Sequence, residues 1–156
     1  MSKNRKKLDK YITRSSINDI TIKYGKETFN FNLVEELSIN ENKINEELKE
    51  QPSYYGFLLL LQSRLLTVKE DTQRQADSKY ASKYLKASEK KNPNTGRNYS
   101  DKAAIQIALA DEGYNLAVKR ALQAKQDYNI ITSCVRSFEQ RAHLIQSLAA
   151  NQRREQ

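Results

Sequence analysis

The sequence contains no tryptophan, one cysteine, one histidine, one methionine, two prolines and four glycines in 156 residues. Each scarcity excludes something. A lone cysteine, Cys134, cannot close an intrachain disulfide, and cysteine usage this low points to a reducing, intracellular setting. Cys134 and His143 together cannot supply a zinc site of the usual kind, so no metal or cofactor is expected. Gly25, Gly56, Gly96 and Gly113 are too scattered to build a phosphate-cradling loop, which argues against ATP hydrolysis. The longest apolar run, residues 57–61, is far short of a membrane span. Lys3, Arg5, Lys6 and Lys7 have no apolar stretch behind them, so no signal peptide is expected.

What is abundant is charge and helix-forming residues. Charged side chains make up 29% of the chain and hydrophobic ones 38%. The frequent Ala, Leu, Lys, Glu, Gln and Arg favour helix. Four Phe and nine Tyr leave little bulky core material, so long helices here need partner helices or further copies to bury their faces. The formal charge is +8 and the isoelectric point about 9.5, which points to an anionic partner. The charge is segregated. Residues 1–14 carry six basic groups against one acid, residues 27–50 seven acids against two lysines, and residues 74–102 eight basic groups against three acids. Such blocks suggest separate tasks.

Residues 1–14 read as a basic, flexible arm and residues 15–50 as a small N-terminal region. Within it, Ile20, Ile22 and Tyr24 alternate with polar residues, as do Phe29, Phe31 and Leu33, around a Gly25-Lys26 turn; this predicts a β-hairpin. Asn40 or Ser38 can cap a short acidic helix running to about Lys49. Pro52 suits the first turn of a new helix, whose stripe Tyr54, Leu58, Leu61, Leu65 and Val68 continues through Ala76, Tyr80, Tyr84 and Ala87. The cluster Asn92-Pro93-Asn94-Thr95-Gly96 ends it near Lys91, and Ser100 caps a restart. A break is expected around residues 111–113. Beyond it runs an apolar seam: Ala117, Ala121, Ala124, Tyr128, Ile131, Val135, Phe138, Ala142, Ile145 and Ala149, in alternating steps of four and three. A seam this long is a coiled-coil signal. It can close against residues 54–90 of the same chain, against other copies, or both. Residues 51–156 thus read as a long-helix region for binding and assembly, with Ala121 to Ile145 of the seam as the oligomerisation residues.

A search for catalytic groups returns nothing specific. His143 and Cys134 flank the seam without partners, and Glu35, Glu36, Glu41, Glu46, Glu47 and Glu50 are spaced as a solvated helix face rather than a magnesium site. The basic middle is more informative. Lys79, Lys83, Lys86 and Lys90 line one helical face, and Tyr80 and Tyr84 stand at its edge. Lysines neutralise phosphates and aromatic rings stack on unpaired bases, a pairing suited to single strands. With Arg74, Lys91, Arg97 and Lys102 these are the candidate DNA-binding residues. The bland alternative is a solvated lysine face beside two core tyrosines.

The order of these features resembles the UvsY-type recombination mediators of tailed phages over about residues 40–150. The resemblance rests on the acidic entry Glu46-Glu47-Leu48-Lys49-Glu50-Gln51-Pro52-Ser53-Tyr54-Tyr55 and the lysine- and tyrosine-rich helix 79–91. It rests further on the restart near Ser100 with Leu109-Ala110-Asp111-Glu112, and on the final helix with Ala124-Lys125-Gln126-Asp127-Tyr128 and Phe138-Glu139-Gln140-Arg141-Ala142. It implies a non-enzymatic homo-oligomer without membrane contact, in the cytoplasm of an infected or lysogenic bacterial host. Such a protein binds single-stranded DNA and helps load a RecA-like recombinase onto strands coated by a single-strand-binding protein. The family's basic Lys-Ala-Arg-Leu-type stretch is replaced here by Lys79-Tyr80-Ala81-Ser82-Lys83-Tyr84-Leu85-Lys86, which keeps the charge and loses the arginine. The expected fold is mainly α: long helices forming an antiparallel hairpin or coiled coil, a small N-terminal β-hairpin, and an oligomer. The competing class is a non-enzymatic coiled-coil structural or adaptor protein, such as a virion or scaffolding component.

Overall fold

The structure, a computed structural model, describes residues 19–24 and 26–155. The basic arm lies outside the described residues. The protein is mainly helical, with β1 (Asp19–Tyr24), β2 (Glu27–Asn32), α1 (Leu33–Leu37), a 3-10 turn (Glu41–Lys43), α2 (Ile44–Glu89), α3 (Asp101–Leu109) and α4 (Glu112–Glu155). These elements make two compact units, Met1–Leu61 with Ile131–Gln156, and Gln62–Ile130. The long helices α2 and α4 each contribute to both.

In the first unit β1 and β2 form the expected antiparallel hairpin, with Ile20 opposite Phe31 and Ile22 opposite Phe29. Pairing of Tyr24 with Glu27 leaves the two-residue loop that the sequence predicts; Gly25 itself lies outside the described residues. Alternation gives the ribbon one apolar face, on which Ile20 and Ile22 are buried. The opposite face is polar: Thr21 Oγ1 donates to Asn30 Oδ1 at 2.8 Å, and Asn32 Nδ2 to Asp19 Oδ1 at 2.8 Å. Two strands alone are marginal. Here Phe29 packs on Phe57 of α2, ring centroids 5.7 Å apart. Leu33 does not extend the strand as its alternation suggests. Asn32 Oδ1 accepts from the Val34 and Glu35 amides, so the chain turns into α1 at that residue.

The stretch from Asn40 to Lys49 does not form a helix of its own. Asn40 caps the 3-10 turn, and α2 then runs unbroken from Ile44 through Pro52 to Glu89. An interior proline removes the hydrogen bond to Leu48 O and crowds that carbonyl. The helix survives because both flanks are anchored on α4. Leu48 lies against the Ile44–Ile145–Ala149 cluster, Gln51 Nε2 donates to Phe138 O at 3.0 Å, and the Tyr54 ring sits 4.8 Å from that of Phe138. The division expected between residues 50 and 51 therefore falls inside one helix. Leu58, Ile131, Cys134, Phe138 and Ile145 complete a tightly buried core. Each large apolar side chain so buried contributes about 1.5–3 kcal/mol.

The second unit is built with smaller residues. Leu65, Ala76, Ala87, Ala104, Ala108, Ala117, Ala121 and Ala124 are its buried set. Alanines let helix backbones approach closely but bury little area, so tyrosines supply the bulk. Tyr80 packs on Tyr84 (6.4 Å) and Tyr114 (5.6 Å), and Lys69 Nζ lies 4.7 Å from the centre of the Tyr128 ring. Within each unit the helices run antiparallel: Ile44 meets Ile145 and Gln51 meets Phe138 in the first, and Lys69 meets Tyr128 and Tyr80 meets Tyr114 in the second.

Candidate nucleic-acid interface

The second unit holds every residue the sequence nominates for DNA binding. Its basic face begins on α2, where Lys79, Lys83, Lys86 and Lys90 are all exposed, as their spacing requires. The helix stops at Glu89 rather than Lys91, and the turn that follows is closed by its own backbone. Gly96 N donates to Asn92 O at 2.8 Å and Asn92 N to Arg97 O at 2.7 Å. Gly96 has φ +67°, the left-handed conformation for which glycine is suited. The turn pairs Lys91 with Asn98, which brings Arg97 back beside the end of α2. Ser100 Oγ then accepts from Ala103 N at 3.4 Å and caps α3, which carries Lys102 in its first turn. Residues 79–102 carry seven cations against Glu89 and Asp101, so this end of the unit is strongly positive.

The ten nominated residues are not equally available. Lys86, Lys90, Lys91, Arg97 and Lys102 are exposed. Arg74 is exposed as well but paired with Asp71 one turn earlier on α2. Lys83 Nζ is 2.6 Å from Asp111 Oδ2, and the Tyr84 hydroxyl donates to Asp101 Oδ1 at 3.3 Å. Tyr80 and Tyr84 are half-buried, their rings stacked on one another. Lys79 reaches toward the start of α4, where Gly113 has no side chain: a Cβ there would lie 3.7 Å from Lys79 Nζ. Asp111 does two jobs. Its Oδ1 accepts from Tyr114 N at 2.9 Å and caps α4, while Oδ2 holds Lys83. The bond from Lys83, reinforced by the Tyr114 amide, holds the Asp111 carboxyl below the usual carboxylate range. The charge of Asp101 pushes the Tyr84 phenol up. Sequence spacing alone missed both aspartates, since they lie 28 and 17 residues from their partners.

The seam residues nominated for oligomerisation have a different place. Ala121, Ala124, Ile131, Val135, Phe138 and Ile145 are buried within the chain itself, and Tyr128 and Ala142 are half-buried. Most of the seam is thus covered within the chain, and Tyr128 and Ala142 remain partly open. The apolar residues that α4 leaves outside include Leu116, Leu122 and Leu144.

Two carboxylates of the acidic stretch are held in ion pairs. Glu46 pairs with Lys43 and Glu47 with Arg141, and among the described residues no group of three or more His, Cys, Asp or Glu is placed to hold an ion. Cys134 is a buried free thiol that burial pushes above its ordinary pKa, and His143 is exposed on α4. Among the described residues no helix is long and apolar enough to cross a membrane. No family model matches the chain, and neither does any curated protein or solved structure.

Proposed function

We propose that this chain is a recombination mediator without enzymatic activity of its own. Several copies bind single-stranded DNA together and help a RecA-like recombinase replace a single-strand-binding protein, in the cytoplasm of a bacterial host. The observation that supports it is the gathering of Lys86, Lys90, Lys91, Arg97 and Lys102 at one exposed end of the second unit, beside the edge of the Tyr80–Tyr84 pair. Lysines of this kind contact phosphates without reading bases, and aromatic edges favour unpaired bases over a duplex. One such end binds weakly. Copies linked in an assembly bind a strand with avidity.

Fluorescence anisotropy with a labelled single-stranded oligonucleotide tests this. Binding should be tight at low salt and fall steeply as salt rises. Lys86→Glu with Lys90→Glu should weaken it at least tenfold and flatten the log–log salt slope by about 1.4, roughly 0.7 for each phosphate no longer neutralised. Absence of wild-type binding at low salt would reject the proposal in favour of a structural or adaptor protein whose lysines only keep it in solution.

A further inference from the structure

Helix α3 sits in the second unit with an aspartate at each end, and both aspartates are engaged by residues of the basic face. Asp101, in the first turn, accepts from the Tyr84 hydroxyl at 3.3 Å, and Asp111, just past the last turn, holds the Lys83 ammonium at 2.6 Å. Neither contact is needed to hold the helix ends. Ser100 caps α3, and it is Oδ1 of Asp111 that caps α4, leaving Oδ2 for the lysine. Between the two aspartates the buried Ala104 and Ala108 anchor α3. Both carboxylates are therefore presented at fixed places rather than on a loose segment.

We infer that Asp101 and Asp111 are affinity-setting residues: tethered anions that occupy Lys83 and Tyr84 in the unbound protein and must be displaced by the phosphodiester backbone of a bound strand. The inference rests on the reading of this face as a single-strand-binding surface. A carboxylate and a phosphodiester each offer one negative charge on paired oxygens, so a lysine and a phenol can donate to either. A carboxylate held within the same unit acts at high effective concentration and keeps Lys83 from contributing to a first encounter. The Lys83 side chain is 45% exposed in this pair, so water and an incoming phosphate can reach it, and the exchange is feasible. Lys86, Lys90, Lys91, Arg97 and Lys102 stand exposed at this end of the unit and make the first encounter. The consequence is a graded surface. Weakly held strands touch the exposed cations alone, and strands held by avidity also take Lys83 and open the ring edge of Tyr84.

The experiment compares single-stranded oligonucleotide binding by the full chain, the Asp101→Asn/Asp111→Asn variant, and a charge-matched control, Glu70→Gln/Asp77→Asn, on exposed residues outside that end of the unit. Asparagine keeps a capping oxygen at position 111, so α4 retains its start. The Asn variant should bind about fivefold tighter at 0.1 M salt, with a salt slope steeper by about 0.7, the value of one further phosphate neutralised. The control should stay close to the wild type. A third comparison guards against a purely global charge effect: Lys83→Ala should cost less in the wild type than in the Asp111→Asn background, where it should abolish the gain. Equal gains in the Asn variant and the control, or an equal loss from Lys83→Ala in both backgrounds, would overturn the inference while leaving single-strand binding intact. Absence of binding by every variant at low salt would instead reject the binding surface, and the inference with it.

Discussion

Arg141 is the residue that most depends on its neighbours. Its side chain is 10% exposed, and its guanidinium donates to Gln51 Oε1, to Glu47 Oε2 and, at 2.9 Å, to Ser38 O. Glu47 in turn accepts from Asn40 N at 3.1 Å, so one network ties α4 to α2 and to the segment before it. The Nε–H of Arg141 is left without a partner, which makes loss of any other bond costly. Glu47→Gln leaves the buried guanidinium without its counter-charge and should destabilise the fold by about 3 kcal/mol, measured by urea unfolding at neutral pH. The Asn40 amide, with help from Arg141, depresses the Glu47 pKa below its ordinary 4.5. A carboxylate whose folded pKa lies below the unfolded one contributes stability that is complete above the unfolded value and is lost as pH falls toward the folded one. Wild-type stability should therefore drop below about pH 4.5 more steeply than that of Glu47→Gln; parallel profiles would refute the role of Glu47. The sequence carries a partial signal for this network. Ile44, Gln51, Leu58 and Leu65 are spaced by sevens and all buried, so Gln51 is a polar residue on an otherwise apolar line. Its partner, 90 residues on, is not deducible from spacing.

At the scale of elements, periodicity is what the sequence makes legible. The hairpin's register follows from alternation, because a slip of one residue would turn Ile20 and Ile22 outward. The stripe Leu58, Leu61 and Leu65 and the seam through Ile131, Phe138 and Ile145 are buried as their three-and-four spacing requires. Local breakers are read less well. Asn92 to Gly96 does follow a helix end, its turn closed by its own backbone hydrogen bonds, whereas Pro52 does not end one, because Leu48, Gln51 and Tyr54 are held against α4 on either side. Tertiary contacts outweigh the local penalty there. The penalty remains in the folded state, so Pro52→Ala should raise stability by about 1–3 kcal/mol in thermal or urea unfolding, the restored hydrogen bond to Leu48 exceeding the entropy returned to the unfolded chain. A destabilised variant would mean that α2 needs the proline's local geometry.

For the whole molecule, the seam's placement changes which surface can join copies. The spacing of Ala121, Ala124, Tyr128, Ile131, Val135, Phe138, Ala142 and Ile145 is indifferent to whether a helix pairs with its own chain or another, and the chain uses them for itself. Ile131→Asp buries an unpaired charge at a residue with no exposure and should unfold the protein rather than only separate copies. Association, if avidity is the mechanism, has to run through what is left outside. Leu122, in the second unit, and Leu144, in the first, are 60% and 58% exposed, and each stands on α4 away from the buried set of its own unit. Leu122→Lys with Leu144→Lys should leave the helical content and unfolding midpoint within about 0.5 kcal/mol of wild type, as exposed substitutions do. Light scattering should then show the wild-type assembly falling to single chains, and oligonucleotide affinity should fall with it while the salt slope per chain is kept. A wild type that scatters as a single chain at all concentrations would remove avidity from the mechanism; an assembly unchanged by the two lysines would place the contact between copies on another face.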